Sequence, residues 1–358
     1  MGYSIKWKSN SLPWCLILLS LIILVIYLSK QYGITEKAEC PVNATIALSR
    51  EDNRRVVSNY PLGDSGPYLS ALGLAKFTDV SDMDREPVVV TTGSSFYVSR
   101  IEGWLKHLIK DMKPKLKIVI YDIGFTAEQR EQICQHGQCE VKEFPFHQFP
   151  VFVEDCIPCI SWKPLAIQLA LEEFGFVIWM DAAVFVMDGN LQAGIDSAKE
   201  TGIAIGHETY GGSTVEIASE TVPETFHALG EDPCAFKNCN TISASLLFIQ
   251  KSRYTYKYIM RPWVSCALTK SCIAGGRALQ NKCRFSKNYG YCHRFAQSVL
   301  GIILNRLYYS NLDTVDLGNA VKWRKCYIGH DHILIDDMVF LQYEKKDILQ
   351  CPDRKLEL

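Results

Sequence analysis

Net charge is almost missing from this chain: 38 Lys and Arg against 39 Asp and Glu leave −1 over 358 residues. That balance gives no basic excess for nucleic acid, which is excluded as a partner, and no polyanionic tail. Neither a Gly-x-Gly-x-x-Gly turn nor a Walker lysine loop occurs, so a dinucleotide fingerprint and a P-loop are both excluded. Internal repeats and low-complexity tracts are absent as well. Cys156-Ile-Pro-Cys159 has zinc-finger spacing, but no second CxxC or close His pair completes a tetrahedral set. No thioredoxin-like strand and helix frame that pair as a redox centre.

Polar residues are also scarce between Leu12 and Ser29, and here the scarcity is itself a signal. A helix of ~18–20 such residues spans a hydrocarbon core, and Trp14 and Tyr27 lie near its ends as interface anchors. A cleaved signal peptide would have a shorter apolar stretch and a small-x-small site; Ser29-Lys30-Gln31 is a poor one. The run is therefore expected to be a retained anchor. Fourteen cysteines are present and thirteen follow the run, many in close pairs: Cys134/Cys139, Cys156/Cys159, Cys234/Cys239, Cys266/Cys272 and Cys283/Cys292. Such density fits an oxidising compartment. The expected layout is a cytoplasmic tail at 1–11, a type II anchor at 12–29, a stem at 30–85 and a luminal domain at 86–358. Asn43-Ala44-Thr45 is a glycosylation sequon in that stem. An odd number of luminal cysteines leaves a thiol that is free or joins a second chain, as in a disulfide-linked dimer.

From Glu86 onward strand and helix patterns alternate. Val88 to Thr92 is a β-branched run closed by Gly93-Ser94-Ser95. Ile101, Trp104, Leu105, Leu108, Ile109 and Met112 recur at helical spacing. Lys115 to Tyr121 reads as a strand with Asp122 at its end, and Thr126 to Gln129 has capping-box spacing. Glu140 to Phe144 and Phe176 to Met180 are further strands, with a helix starting near Pro164 between them. Ile203 to Ile205, Ser243 to Gln250 and Cys326 to Gly329 complete the strand candidates. Alternation of this kind predicts an α/β fold, a mainly parallel sheet with helices on both faces. Such sheets bind ligands beyond the carboxyl ends of their strands.

Asp181 follows the most apolar strand, so it stands where a ligand meets the sheet edge; a carboxylate there can hold a divalent cation under a diphosphate. The bland alternative is a residue that caps the next turn. Asp122 has the same two readings, as a contact to a nucleotide's base or ribose or as a turn former. Lys163 can reach a diphosphate as a point charge, or be a surface lysine at a helix start. His330-Asp331-His332 offers metal ligands or a polar turn. Arg294 and Gln297, three apart, open the last helix and can share a face towards an acceptor. Tyr254, Tyr256, Tyr258 and Trp263 read as core more readily than as sugar-binding surface.

Five stretches carry a resemblance: Tyr121-Asp122-Ile123-Gly124, Trp162-Lys163-Pro164, Trp179-Met180-Asp181, Pro262 to Leu268, and Cys292 to Ser298. Together they resemble GT-A-type glycosyltransferases, and more narrowly a nematode-expanded invertebrate group of type II membrane proteins. The resemblance implies a GT-A-like domain in the Golgi lumen that moves a sugar from a nucleotide-sugar donor to a glycan or glycoprotein acceptor, with Mn2+ or Mg2+ as cofactor. It implies Asp181, Gln297 and Arg294 at the catalytic site, Asp122, Lys163 and Trp162 around the donor, and Asp181, with His330 and His332, as metal ligands. Two positions depart from the pattern. The family's Asp-x-Asp reads Asp181-Ala182-Ala183, and Ala296 stands where the related proteins carry Asp. They define the alternative, a catalytically inactive GT-A-like luminal binding or scaffold protein.

Overall fold

The computed structural model of the chain describes residues 49–325, apart from 64–65, 78–84, 136, 138, 188, 207–214, 277–282, 284–289, 291 and 310, together with residues 20, 23 and 46. The chain divides into two units, Met1–Val42 and Asn43–Leu358. Of the first unit only Ser20 and Ile23 are described, both helical. Among the described residues no helix is long and apolar enough to cross a membrane; the rest of the 12–29 run lies outside them. So do the Asn43 sequon, the 326–329 strand, His330 and His332.

The second unit follows the order α1 (Arg50–Ser58), α2 (Gly66–Ala71), β1 (Val88–Gly93), α3 (Val98–Asp111), β2 (Ile118–Asp122), α4 (Ala127–Ile133), β3 (Glu140–Glu143), α5 (Phe152–Asp155), α6 (Trp162–Phe174) and β4 (Phe176–Met180). It continues with β5 (Val184–Val186), α7 (Gln192–Thr201), β6 (Ile203–Ile205), α8 (Pro223–Ala228), β7 (Leu246–Gln250), a π-helix at Thr255–Met260, α9 (Arg261–Ala267), α10 (Lys270–Ile273), α11 (Ala296–Tyr308) and β8 (Trp323–Lys325). Six strands form one sheet in the order β3-β2-β1-β4-β7-β6. β1 pairs in parallel with β2 and β4, and β2 with β3, whereas β7 is antiparallel to both β4 and β6. β5 and β8 form a small antiparallel pair.

Period-two alternation sends successive side chains of each strand to opposite layers. In β4, Val177 and Trp179 join the core shared with α6, α9 and α11, while Phe176, Ile178 and Met180 join the core shared with α3 and α7. The first layer is double. Helix α6 is buried over most of its circumference, from Lys163 to Leu171, as expected of a helix with apolar residues all round. It ends on Gly175 at φ 79°, whose N–H returns to the Leu171 carbonyl, a left-handed cap that glycine adopts without steric cost.

The segment expected to be a stem is, from Ile46 onward, part of this domain. Val57, Leu69, Leu72 and Leu74 lie in the same core as α11. The Tyr60 hydroxyl donates to Glu231 Oε1 at 2.8 Å, and Arg306 Nη1 donates to the Ile46 carbonyl at 3.3 Å. Glycine and proline break the helical period in this stretch without preventing burial of the leucines between them.

Four of the five cysteine pairs read from spacing are disulfides: Cys134–Cys139, Cys156–Cys159, Cys266–Cys272 and Cys283–Cys292. The fifth is not. Cys234 is disulfide-bonded, but Cys239 is a buried free thiol. At 4% exposure it is no bridge to a second chain.

Candidate functional site

Strand order locates the site. The chain runs outward through β1, β2 and β3, then crosses back to lay β4 on the other side of β1. The carboxyl ends of β1 and β4 therefore flank the switch point, where an open α/β sheet leaves a crevice. β1 ends at Gly93, where any Cβ would stand 2.2 Å from the Phe125 ring and 2.4 Å from Ile101, so a larger residue would push both side chains aside. β4 ends at Asp181.

Helix α6 enters this edge from a constrained loop. The Cys156–Cys159 disulfide closes it, Ile160 turns left-handed at φ 53°, and the Trp162 indole donates to the Ile157 carbonyl at 2.9 Å. The Ser161 hydroxyl is buried and meets no hydrogen-bond partner among the described residues. One residue into the helix, the Lys163 ammonium donates to Asp181 Oδ1 at 2.7 Å and to the Ala244 carbonyl at 3.3 Å. It also lies 5.2 Å over the Trp179 ring, within cation–π range. The Trp179 indole N–H donates to the same Asp181 Oδ1 at 2.8 Å, and the Trp162 ring lies 6.4 Å from it. Lys163 is 9% exposed and Asp181 32%. One carboxylate oxygen is therefore held by two donors, and the other opens to the edge.

Tyr97 and Arg100, which sequence reasoning passed over, stand at the same opening. Arg100 lies 4.9 Å over the Tyr97 ring. Burial raises the Tyr97 phenol's pKa; the Arg100 charge pulls it back and the Asp181 charge adds to the rise, so both charges are its neighbours. Phe96 beside them is 45% exposed. The available signal was a strand end, Gly93-Ser94-Ser95, followed at once by two aromatics and a cation.

Asp122 does something else. Its Oδ1 accepts from Gly124 N at 2.8 Å and Phe125 N at 2.7 Å, and its Oδ2 pairs with Arg130 at 2.5 Å. Both oxygens are used inside the turn, which is the turn-forming reading. Arg294 is not on the last helix, which starts at Ala296. Its backbone N–H reaches Ser298 Oγ at 3.0 Å, and its guanidinium pairs with Glu220 Oε1 at 2.8 Å. Gln297 is in the first turn of α11. From there α11 runs 13 residues to Tyr308, whose ring lies 6.4 Å from that of Tyr254. Phe295, at φ 50°, is a strained approach to that helix. Glu220 Oε2, Thr221 Oγ1 and Gln297 Nε2 are buried there without partners among the described residues. His293 is buried and neutral: burial drives its pKa down to about 4, and its Nε2 meets the Ile273 carbonyl at 2.9 Å. Trp263 is core, its indole N–H donating to the Ala296 carbonyl at 2.9 Å, and Tyr254, Tyr256 and Tyr258 pack against the same core.

A family described as "Protein of unknown function (DUF1647)" matches residues 71–168. That stretch runs from α2 into α6 and includes Lys163. No curated protein matches the chain by sequence. Among solved structures the chain is similar to core-mannan synthase A from Aspergillus fumigatus in its Mn/GDP form, at 10% identity, covering 73% of this chain and 78% of that one, with a TM-score of 0.43. It is similar to mouse xyloside xylosyltransferase 1, apo form, at 11% identity over 63% of this chain and 83% of that one, TM-score 0.36. A third is the galactosyltransferase LgtC with donor and acceptor sugar analogues, at 11% identity over 60% and 70%, TM-score 0.32.

Among the described residues the donor set at Asp181 does not fit a divalent cation. Ala182 and Ala183 supply no oxygen from their side chains, and Asp181 Oδ1 is already held by an ammonium and an indole. Hard cations require several oxygen ligands. Among the described residues the one group of three metal-capable side chains is Glu220 with Cys283 and Cys292. Those two sulfurs are bonded to each other, so they offer no thiolate. What the edge does present is a buried ammonium, a half-open carboxylate, and an aromatic rim with a second cation.

Proposed function

We propose that this chain is a GT-A-like glycosyltransferase that moves a sugar from a nucleotide-sugar donor to a glycan or glycoprotein acceptor in the secretory pathway. One observation carries the reading. Two of the stretches that resemble this family, Trp162-Lys163-Pro164 and Trp179-Met180-Asp181, meet through a 2.7 Å ion pair at the switch point of a mainly parallel sheet. In this reading the diphosphate of the donor lies over Lys163, with Arg100 as a second positive charge, and Asp181 Oδ2 faces a donor hydroxyl. An acceptor hydroxyl lies near the first turn of α11, where the buried Gln297 Nε2 and Glu220 Oε2 have no partner among the described residues. Reaction is displacement at the anomeric carbon. The acceptor oxygen forms the new bond, the bond to the diphosphate breaks, the diphosphate leaves with the electron pair, and the hydroxyl proton ends in solvent. Fixed positive charge under the leaving group lowers the barrier because no water has to reorient as charge develops. The cysteine-rich domain belongs in the Golgi lumen in this reading, behind an N-terminal type II anchor.

The test is thermal unfolding of the full-length chain in detergent against a panel of nucleotide sugars. A ligand that binds only the folded state adds ~2.7 kcal/mol at a hundredfold excess over its Kd. A shift with one donor, lost in Asp181→Asn, supports the reading and names the sugar. Ala183 and Ala296, 7% and 1% exposed, favour a second reading, the inactive binding protein. Donor binding with no transfer and no hydrolysis would select it, and no binding by any donor would sink the transferase.

A further inference from the structure

We infer that Lys163 occupies, as a built-in ammonium, the place beside Asp181 that a divalent cation would need, and that a nucleoside diphosphate binds at this edge without one. The second half rests on the reading above; the first rests on geometry alone. The Nζ of Lys163 is 2.7 Å from Asp181 Oδ1 and the indole N–H of Trp179 is 2.8 Å from the same oxygen. A cation approaching that oxygen would displace two donors, and one approaching Oδ2 would face the ammonium across a single carboxylate. The ammonium is not a mobile surface charge. It is 9% exposed, bonded to the Ala244 carbonyl at 3.3 Å and seated over the Trp179 ring.

Its three N–H groups are two-thirds spent, on Asp181 and Ala244, and the third is left for a ligand oxygen. Arg100, held over Tyr97, adds a second charge within reach of the same opening. A carboxylate whose charge is already balanced needs no metal, and a diphosphate beside two fixed cations needs none either.

The experiment uses the full-length chain in detergent. Manganese is titrated into wild type and Asp181→Asn and followed by the electron paramagnetic resonance of free ion. UDP and GDP binding is measured by calorimetry in EDTA and in manganese, for wild type and Lys163→Met. Superimposable manganese titrations of wild type and D181N are expected. Nucleotide affinity should agree within about twofold between the two buffers and fall at least tenfold, one charge-assisted hydrogen bond, in K163M. A manganese site present in wild type and lost in D181N overturns the inference, as does nucleotide binding that requires manganese. Neither of those comparisons depends on K163M folding. If neither nucleotide binds in either buffer, the transferase reading and the diphosphate half fail together, and the manganese titration still decides the half that concerns Asp181.

Discussion

Two cation–carboxylate pairs lie on the same side of the sheet, and they are finished differently. Arg306 and Glu231 are 8% and 3% exposed. Arg306 Nε meets Glu231 Oε1 at 2.8 Å and its Nη2 meets Oε2, so both carboxylate oxygens are taken by one guanidinium. The Tyr60 hydroxyl adds a third donor and the Ile46 carbonyl takes another guanidinium proton. Lys163 is nearly as buried, yet Asp181 keeps one oxygen and a third of its surface open. A closed, fully satisfied pair holds elements together. A half-satisfied pair at a sheet edge leaves a bonding position for something that is not protein, which distinguishes a candidate site from a structural ion pair.

That contrast breaks first at Arg306. Arg306→Met leaves Glu231 as an uncompensated buried charge and should cost ~3–5 kcal/mol in urea unfolding; a loss under 1 kcal/mol would mean the pair is not the fixed point described. The next effect is acidic. The folded-state pKa of His293 is about 4 against an ordinary 6.5, so the unfolded chain binds the proton more readily. Its stabilisation is complete above pH 6.5 and lost as pH falls through about 4, up to ~3 kcal/mol in all. His293→Gln should flatten the dependence of the urea midpoint over that window. Asp181→Asn comes third. The Trp179 bond survives and Lys163 keeps Ala244, so the cost should be ~1–2 kcal/mol; a cost equal to that of Arg306→Met would erase the distinction between the two pairs. Smallest is Cys239→Ala, beside the closed pair. Burial pushes its thiol up to about 11, so iodoacetamide should modify it only after denaturation. Non-reducing electrophoresis should be unchanged by the substitution, and a covalent dimer lost with it would contradict the burial.

The fold was largely legible because its strands are short, apolar and closed by turn residues. β4 and β6 fall where the pattern puts them, and the Thr126–Gln129 capping box is present with both of its bonds. Burial that depends on distant partners was not. Leu69, Leu72 and Leu74 show no period among their glycines and prolines, and partners far along the chain, α6, the π-helix and α9, bring them into a core. Cys234 and Cys239 have the spacing of Cys134 and Cys139, so sequence separation alone cannot tell a disulfide from a buried thiol. At the site, the positions of Asp181 and Lys163 were readable from a strand end and a helix start. Their mutual bond was not, because it requires α6 to pack across β4. The turn role of Asp122 and the loop position of Arg294 likewise depend on Arg130 and Glu220.

The tie between Ile46, Tyr60 and Arg306 also has a meaning in time. The hydrogen bond from Arg306 to Ile46 spans 260 positions, so during synthesis the first segment of this domain waits for nearly the last. β1 to β4 can assemble from what has already emerged, while α1 meets α11, the helix it packs on most, only once that helix is made. A chain cut short before Arg306 would carry all six strands of the main sheet but leave Glu231 without its guanidinium and α1 without the helix it packs on, the kind of defect that retention by chaperones recognises.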